Sequence, residues 1–120
     1  MKIVTLLICV IALSAWSTET LNMETYETYC LNKYVEEGKV ITARARAMCK
    51  CIQDKMVATI GQERTETVVR ILRSVDTRGP EVGAAYAIKY DAEQDIKSFL
   101  RIGVQCGITT GYFNEVSGSN

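Results

Sequence analysis

The chain has 120 residues, 48% apolar and 23% charged, with one proline and eight glycines: the composition of one globular domain, not of a disordered or collagen-like chain. Basic and acidic residues balance at 14 each, so no overall field draws it to nucleic acid or an anionic membrane. It has no histidine, which excludes Ser-His-Asp and Cys-His nucleophile systems and every histidine-ligated metal site.

Lys2 precedes an apolar run, Ile3 to Leu13, relieved only by Thr5 and Cys9. Ser14, Ala15, Trp16 and Ser17 follow, and acidic and polar residues begin at Glu19. A short positive start, an apolar stretch of about 7–15 residues and small residues at its exit describe a secretory signal peptide. Ala15 and Ser17 occupy the small positions of a cleavage site, so residues 1–17 are read as the signal and 18–120 as the mature domain. A membrane span needs about 20 apolar residues, and this run is too short. Cys9 is lost with the signal.

Punctuation at Gly38, Gly61 and Gly79-Pro80 divides the rest of the chain. Leu21, Tyr26, Tyr29, Cys30, Tyr34 and Val35 recur at helical spacing and predict a first amphipathic helix that ends before Gly38. A second helix starts from Thr42 as N-cap and buries Ile41, Ala45, Met48, Ile52, Met56 and Ile60 until Gly61. A third follows Thr65, with Val68, Val69, Ile71, Leu72 and Val75 inward, and breaks at Gly79-Pro80. Pro80 suits the first turn of a short fourth helix, Glu81 to Tyr90, whose Gly83, Ala84 and Ala87 permit close approach of a neighbour. Asp91 and Gln94 form a capping-box-like start for a last helix, lined inward by Ile96, Phe99, Leu100, Gly103 and Cys106. The prediction is an all-α bundle of four to five helices, with residues 107–120 as an irregular tail.

Four cysteines remain after export, Cys30, Cys49, Cys51 and Cys106. An even count in a short exported chain reads as two disulfides, with three connectivities possible. The Cys49-x-Cys51 pair has two other readings, a redox couple and a Cu(I) thiolate site assisted by Met48 or Met56. Inside a helix, however, residues two apart point about 200° from one another, so these sulfurs suit bridges to two different neighbours. A turn near residue 40 brings Cys30 opposite position 50, between the two candidates. Either one bonds Cys30, and the other bonds Cys106.

Charge is uneven along the chain. Residues 18–38 carry five acids and one base, 39–79 nine bases and four acids, and 80–120 five acids and three bases. This pattern fits helices that complement one another with solvated outer faces. Tyr26, Tyr29, Tyr34, Tyr86 and Tyr90 fit the margin of a small core. Tyr112 and Phe113 lie in the Gly-flanked tail and are the candidate partner contacts. Asp91, Glu93 and Asp95 sit at a helix start and Glu36-Glu37 before a turn, settings that stabilise the charged carboxylate and do not prepare an acid or base. No catalytic group and no cofactor is expected.

From Tyr29 to Ile108, the spacing C-x18-CxC-x54-C with ARAMCKCIQDKM at its centre resembles a type of small exported helical protein common in Proteobacteria. The resemblance implies a periplasmic, disulfide-bonded helical domain and brings no activity and no functional residues. The functional expectation is a non-catalytic periplasmic or secreted protein that binds another protein, such as an immunity or inhibitor protein against a toxin or cell-wall enzyme. The alternative is a carrier of a small apolar ligand or Cu(I). Nucleic acid is not an expected partner.

Overall fold

The computed structural model describes residues 25–117. Six helices and no strand lie within them: α1 (Tyr26–Glu36), α2 (Ala43–Ile60), α3 (Gln62–Arg78), α4 (Pro80–Lys89), α5 (Glu93–Thr109) and α6 (Tyr112–Val116). Residues 1–17, read from sequence as a signal peptide with Cys9 inside it, and Leu21 fall outside the described residues.

Local chemistry sets the first boundaries. Thr25 Oγ1 accepts the Thr28 amide at 3.1 Å to cap α1. At its other end Gly38 takes the left-handed conformation (φ +68°), and the amides of Gly38 and Lys39 reach back to the Val35 and Tyr34 carbonyls. Thr42 caps α2 as predicted, accepting the Ala45 amide at 3.1 Å.

Helix α3 begins four residues earlier than the sequence reading placed it, at Gln62 and not after Thr65. Gly61, at φ +86°, ends α2 and starts α3, so the chain reverses through one residue. Thr65 is therefore not a helix start. It lies 2% exposed within α3, its hydroxyl donating to the Gly61 carbonyl at 2.7 Å. The capping box expected at Asp91 also does not form. Asp91 adopts φ +52° because it closes α4, its amide and that of Ala92 donating to the Ile88 and Ala87 carbonyls. A residue so used cannot also cap α5, which starts from Ala92 without a side-chain cap.

The core is centred on α2. Ile52 and Met56 pack with Val68 and Val69 of α3, Ile102 and Cys106 of α5, and Tyr26 and Tyr29 of α1. A smaller cluster, Ile71, Ala87 and Ala92, seals the α3–α4 hairpin. Gly83 permits that contact, since a Cβ there would lie 2.2 Å from Val75 Cγ2. Ala84, by contrast, is exposed.

Several inward assignments are corrected. Val35 and Tyr90 are exposed, and Leu100 is 60% exposed on the outer side of α5. Tyr90 instead stacks on Tyr86, with ring centroids 5.9 Å apart. The region expected to be an irregular tail from residue 107 is ordered: α5 runs to Thr109, Gly111 turns the chain at φ +74°, and α6 follows.

Candidate functional site

Two disulfides tie the helices to the centre. Cys30 bonds Cys49, joining α1 to α2, and Cys51 bonds Cys106, joining α2 to α5. The Cα separations are 5.7 and 5.9 Å. Cys49 and Cys51 do point to different neighbours, as helical geometry requires. Both sulfurs of the Cys-x-Cys pair are thus bonded away, and the soft thiolate donors that a Cu(I) site needs are consumed. Among the described residues, no group of three or more cysteine, aspartate or glutamate side chains could hold a metal ion.

Helix α6 is docked rather than free. The Tyr34 hydroxyl donates to the Tyr112 hydroxyl, and Thr42 Oγ1 donates to Glu115 Oε2 at 2.7 Å. The Phe113 ring lies over Gly107, where a Cβ would come within 2.4 Å of it. Tyr112 is half-buried and Phe113 is 43% exposed. Of the two residues singled out in sequence, one therefore closes a cleft and the other borders an outer surface.

The cleft lies between α1 and α6 and has a volume of about 230 Å³. Tyr26, Tyr29, Tyr34 and Tyr112 wall it, with Lys33 and Lys39 also lining it. Tyr26 is buried against the Phe99 ring at 5.3 Å, and its backbone amide donates to Gln53 Oε1 at 2.8 Å. Among the described residues, its hydroxyl has no hydrogen-bond partner. Burial, with Tyr112 nearby, pushes this phenol up to about 12. Burial likewise raises Tyr34, helped by the hydrogen bond to Tyr112. Tyr29 is raised by burial and by its 2.5 Å hydrogen bond to Asp76 Oδ2. Asp76 also accepts from Lys33 at 2.8 Å. Burial alone would raise the Asp76 carboxyl, but the Lys33 and Tyr29 hydrogen bonds outweigh it and hold it below its ordinary value.

On the far side of α5, Leu100, Val104 and Ile108 follow one another at i, i+4 and i+8, with exposures of 60, 53 and 68%. Residues four apart share a helix face, so these three form one stripe. Gly107 lies about 60° round the helix from Val104, which brings Phe113 to the stripe's edge. Lys97 and Arg101 flank its N-terminal half, with Glu93 a turn beyond Lys97.

The acidic start of α5 holds one pair not expected from sequence. Asp95 is 5% exposed; its Oδ2 accepts from Arg64 Nε at 2.8 Å and forms an ion pair with Nη2 at 2.6 Å, while Nη2 donates to the Asp91 carbonyl at 3.3 Å. This fork joins α3 to α5, and the hydrogen bond to Asp95 raises Arg64 further. Nothing local to residues 91–95 reveals it, because the partner lies 31 residues away.

No family model matches this chain, no characterised protein matches it in sequence, and no solved structure matches it.

Proposed function

We propose that the protein is a non-catalytic exported protein, periplasmic or secreted, that acts by binding another protein through the outer face of α5. One observation carries this reading: the Leu100–Val104–Ile108 stripe, with Phe113 beside it, leaves apolar area in water on an otherwise well-packed helix. Burying it against a partner recovers roughly 25 cal/mol for each Å² removed from water. The cations Lys97 and Arg101 give that partner its character, an apolar centre with an acidic margin. An immunity or inhibitor role against a toxin or cell-wall enzyme is the concrete form of this activity, since a stapled, rigid domain pays little ordering entropy on binding. The other reading, a carrier, has less support. Its Cu(I) form requires reduction of both disulfides first, and its apolar-ligand form competes with a core already filled by Ile52, Met56 and Val68.

A photo-crosslinking residue at Val104, introduced in the native host, tests the proposal. We expect one predominant partner, cross-linked at an apolar surface with acidic neighbours. Leu100→Lys with Val104→Lys should abolish that product while leaving the melting temperature within a few degrees, because both side chains are already exposed. Capture of no partner, or equal capture by the double variant, overturns it.

A further inference from the structure

The tyrosine cleft is a second site, separate from the outer face of α5, and its hydrogen-bonding inventory points to the chemistry of an occupant. Tyr26 carries a hydroxyl on a side chain more than nine-tenths buried, and no described residue accepts its proton. Leaving such a group unpaired is costly, and native structures rarely do so without cause. Tyr26 lines the cleft together with Tyr29, Tyr34 and Tyr112, which puts its phenol in one group with theirs. In the Tyr34–Tyr112 pair one hydroxyl donates and the other accepts, so one O–H of the two is unspent whichever way the bond runs. Lys33 and Lys39 each place one ion pair, with Asp76 and Glu37, and an ammonium has three protons to donate.

The carboxylates around the cleft are already engaged. Glu37 faces Lys39 at 3.0 Å, Asp76 takes Lys33 and Tyr29, and Glu115 accepts from Thr42. The cleft is therefore rich in unspent donors walled by aromatic rings. A volume of about 230 Å³ is below the 300–1,000 Å³ of drug-sized pockets, which limits the occupant to a fragment-sized molecule or a single side chain.

From the unpaired Tyr26 hydroxyl, the half-spent Tyr34–Tyr112 pair and the lysines beside them, we infer that this cleft binds a small aromatic carboxylate. The ring lies among the tyrosines and the carboxylate accepts from Tyr26, from the Tyr34–Tyr112 pair and from Lys39. The same chemistry serves a free metabolite or an aromatic acid at the end of a peptide.

Benzoate is the probe, titrated into the protein as its host produces it, with disulfides intact and the tyrosine ring resonances followed by NMR. We expect saturable one-to-one binding that shifts the rings of Tyr26, Tyr34 and Tyr112, no saturable binding of benzyl alcohol, and weaker binding of acetate. Tyr26→Phe keeps the ring and removes only the unpaired hydroxyl, so it folds and should weaken benzoate about tenfold. Lys39→Met, at an exposed position, should weaken it severalfold and serves as the second variant. A carboxy-terminal phenylalanine dipeptide, N-acetylated, distinguishes the peptide source from the free acid by binding more tightly than benzoate. Overturning results are unshifted tyrosine rings, equal benzoate affinity in Tyr26→Phe, or tighter binding of benzylamine than of benzoate, which would make the cleft a cation cage.

Discussion

Tyr26 combines a ring the core needs with a hydroxyl the fold does not use, and its pH behaviour follows from that. Its phenol is pushed up to about 12 from an ordinary value of 10.0, so the folded state favours the neutral form more than the unfolded chain does. Because the folded value is the higher one, this stability is fully present below pH 10 and is lost as the pH rises from about 10 towards 12. A two-unit difference corresponds to at most about 2.7 kcal/mol. We predict that denaturant melts of the wild type and Tyr26→Phe, compared between pH 8 and pH 11.5, diverge only above pH 10, with the wild type losing more. At pH 8 the variant should equal or exceed the wild type, since no hydrogen bond is removed. Parallel loss across the whole range would show that the hydroxyl has a partner after all.

Between elements, the α3–α4 contact tests how closely these helices approach. Alanine in place of Gly83 gains up to about 1 kcal/mol of helix propensity. It also drives a methyl group to 2.2 Å from Val75 Cγ2, and overpacking of this kind costs about 1–3 kcal/mol. The clash should win, so Gly83→Ala lowers stability by about 1 kcal/mol. The same substitution made in a Val75→Ala background should be neutral or stabilising, because the obstructing methyl is gone. Thermal melts of the four proteins in this cycle read the coupling, and additive effects would mean the helices separate easily. By the same logic Gly107 is the seat of α6, since any larger residue displaces Phe113 and with it the Tyr112 wall of the cleft.

At the scale of the whole molecule, the two disulfides make α2 a common anchor for α1 and α5. The Cys51–Cys106 bridge closes a sequence separation of 55 residues and Cys30–Cys49 one of 19. On loop-closure entropy the longer is worth about 4 kcal/mol and the shorter about 3. Paired replacement by alanine should therefore lower stability more for Cys51/Cys106 than for Cys30/Cys49. Loss of the latter should in addition loosen the cleft, because Cys30 lies in its wall. Denaturant unfolding of the two double variants checks the order, and the reverse order would show that strain or residual unfolded-state structure outweighs chain entropy. No described helix is long and apolar enough to cross a membrane.

Much of this architecture is legible in sequence because helix boundaries are decided within four or five residues. Thr42 caps by bonding the amide three residues on, Gly38 closes α1 by its own left-handed φ, and Pro80 opens α4 because it has no N–H to leave unpaired in the first turn. The opposed directions of Cys49 and Cys51 follow equally from 100° per residue. Asp91 shows where local reading fails: a residue with two possible roles at one junction, helix end or helix start, is assigned by how the flanking helices must turn. Other features were settled only in three dimensions. Which cysteine takes Cys30, why Leu100 faces water, and how Tyr34 meets Tyr112 or Arg64 meets Asp95 depend on the rotation and translation of helices far apart in the chain. Periodicity defines a helix's apolar stripe but not its neighbour, and a stripe as broad as that of α5 can be divided between core and solvent in more than one way. That division rests on side-chain packing around Met56 and Cys106, which the order of residues along α5 does not contain.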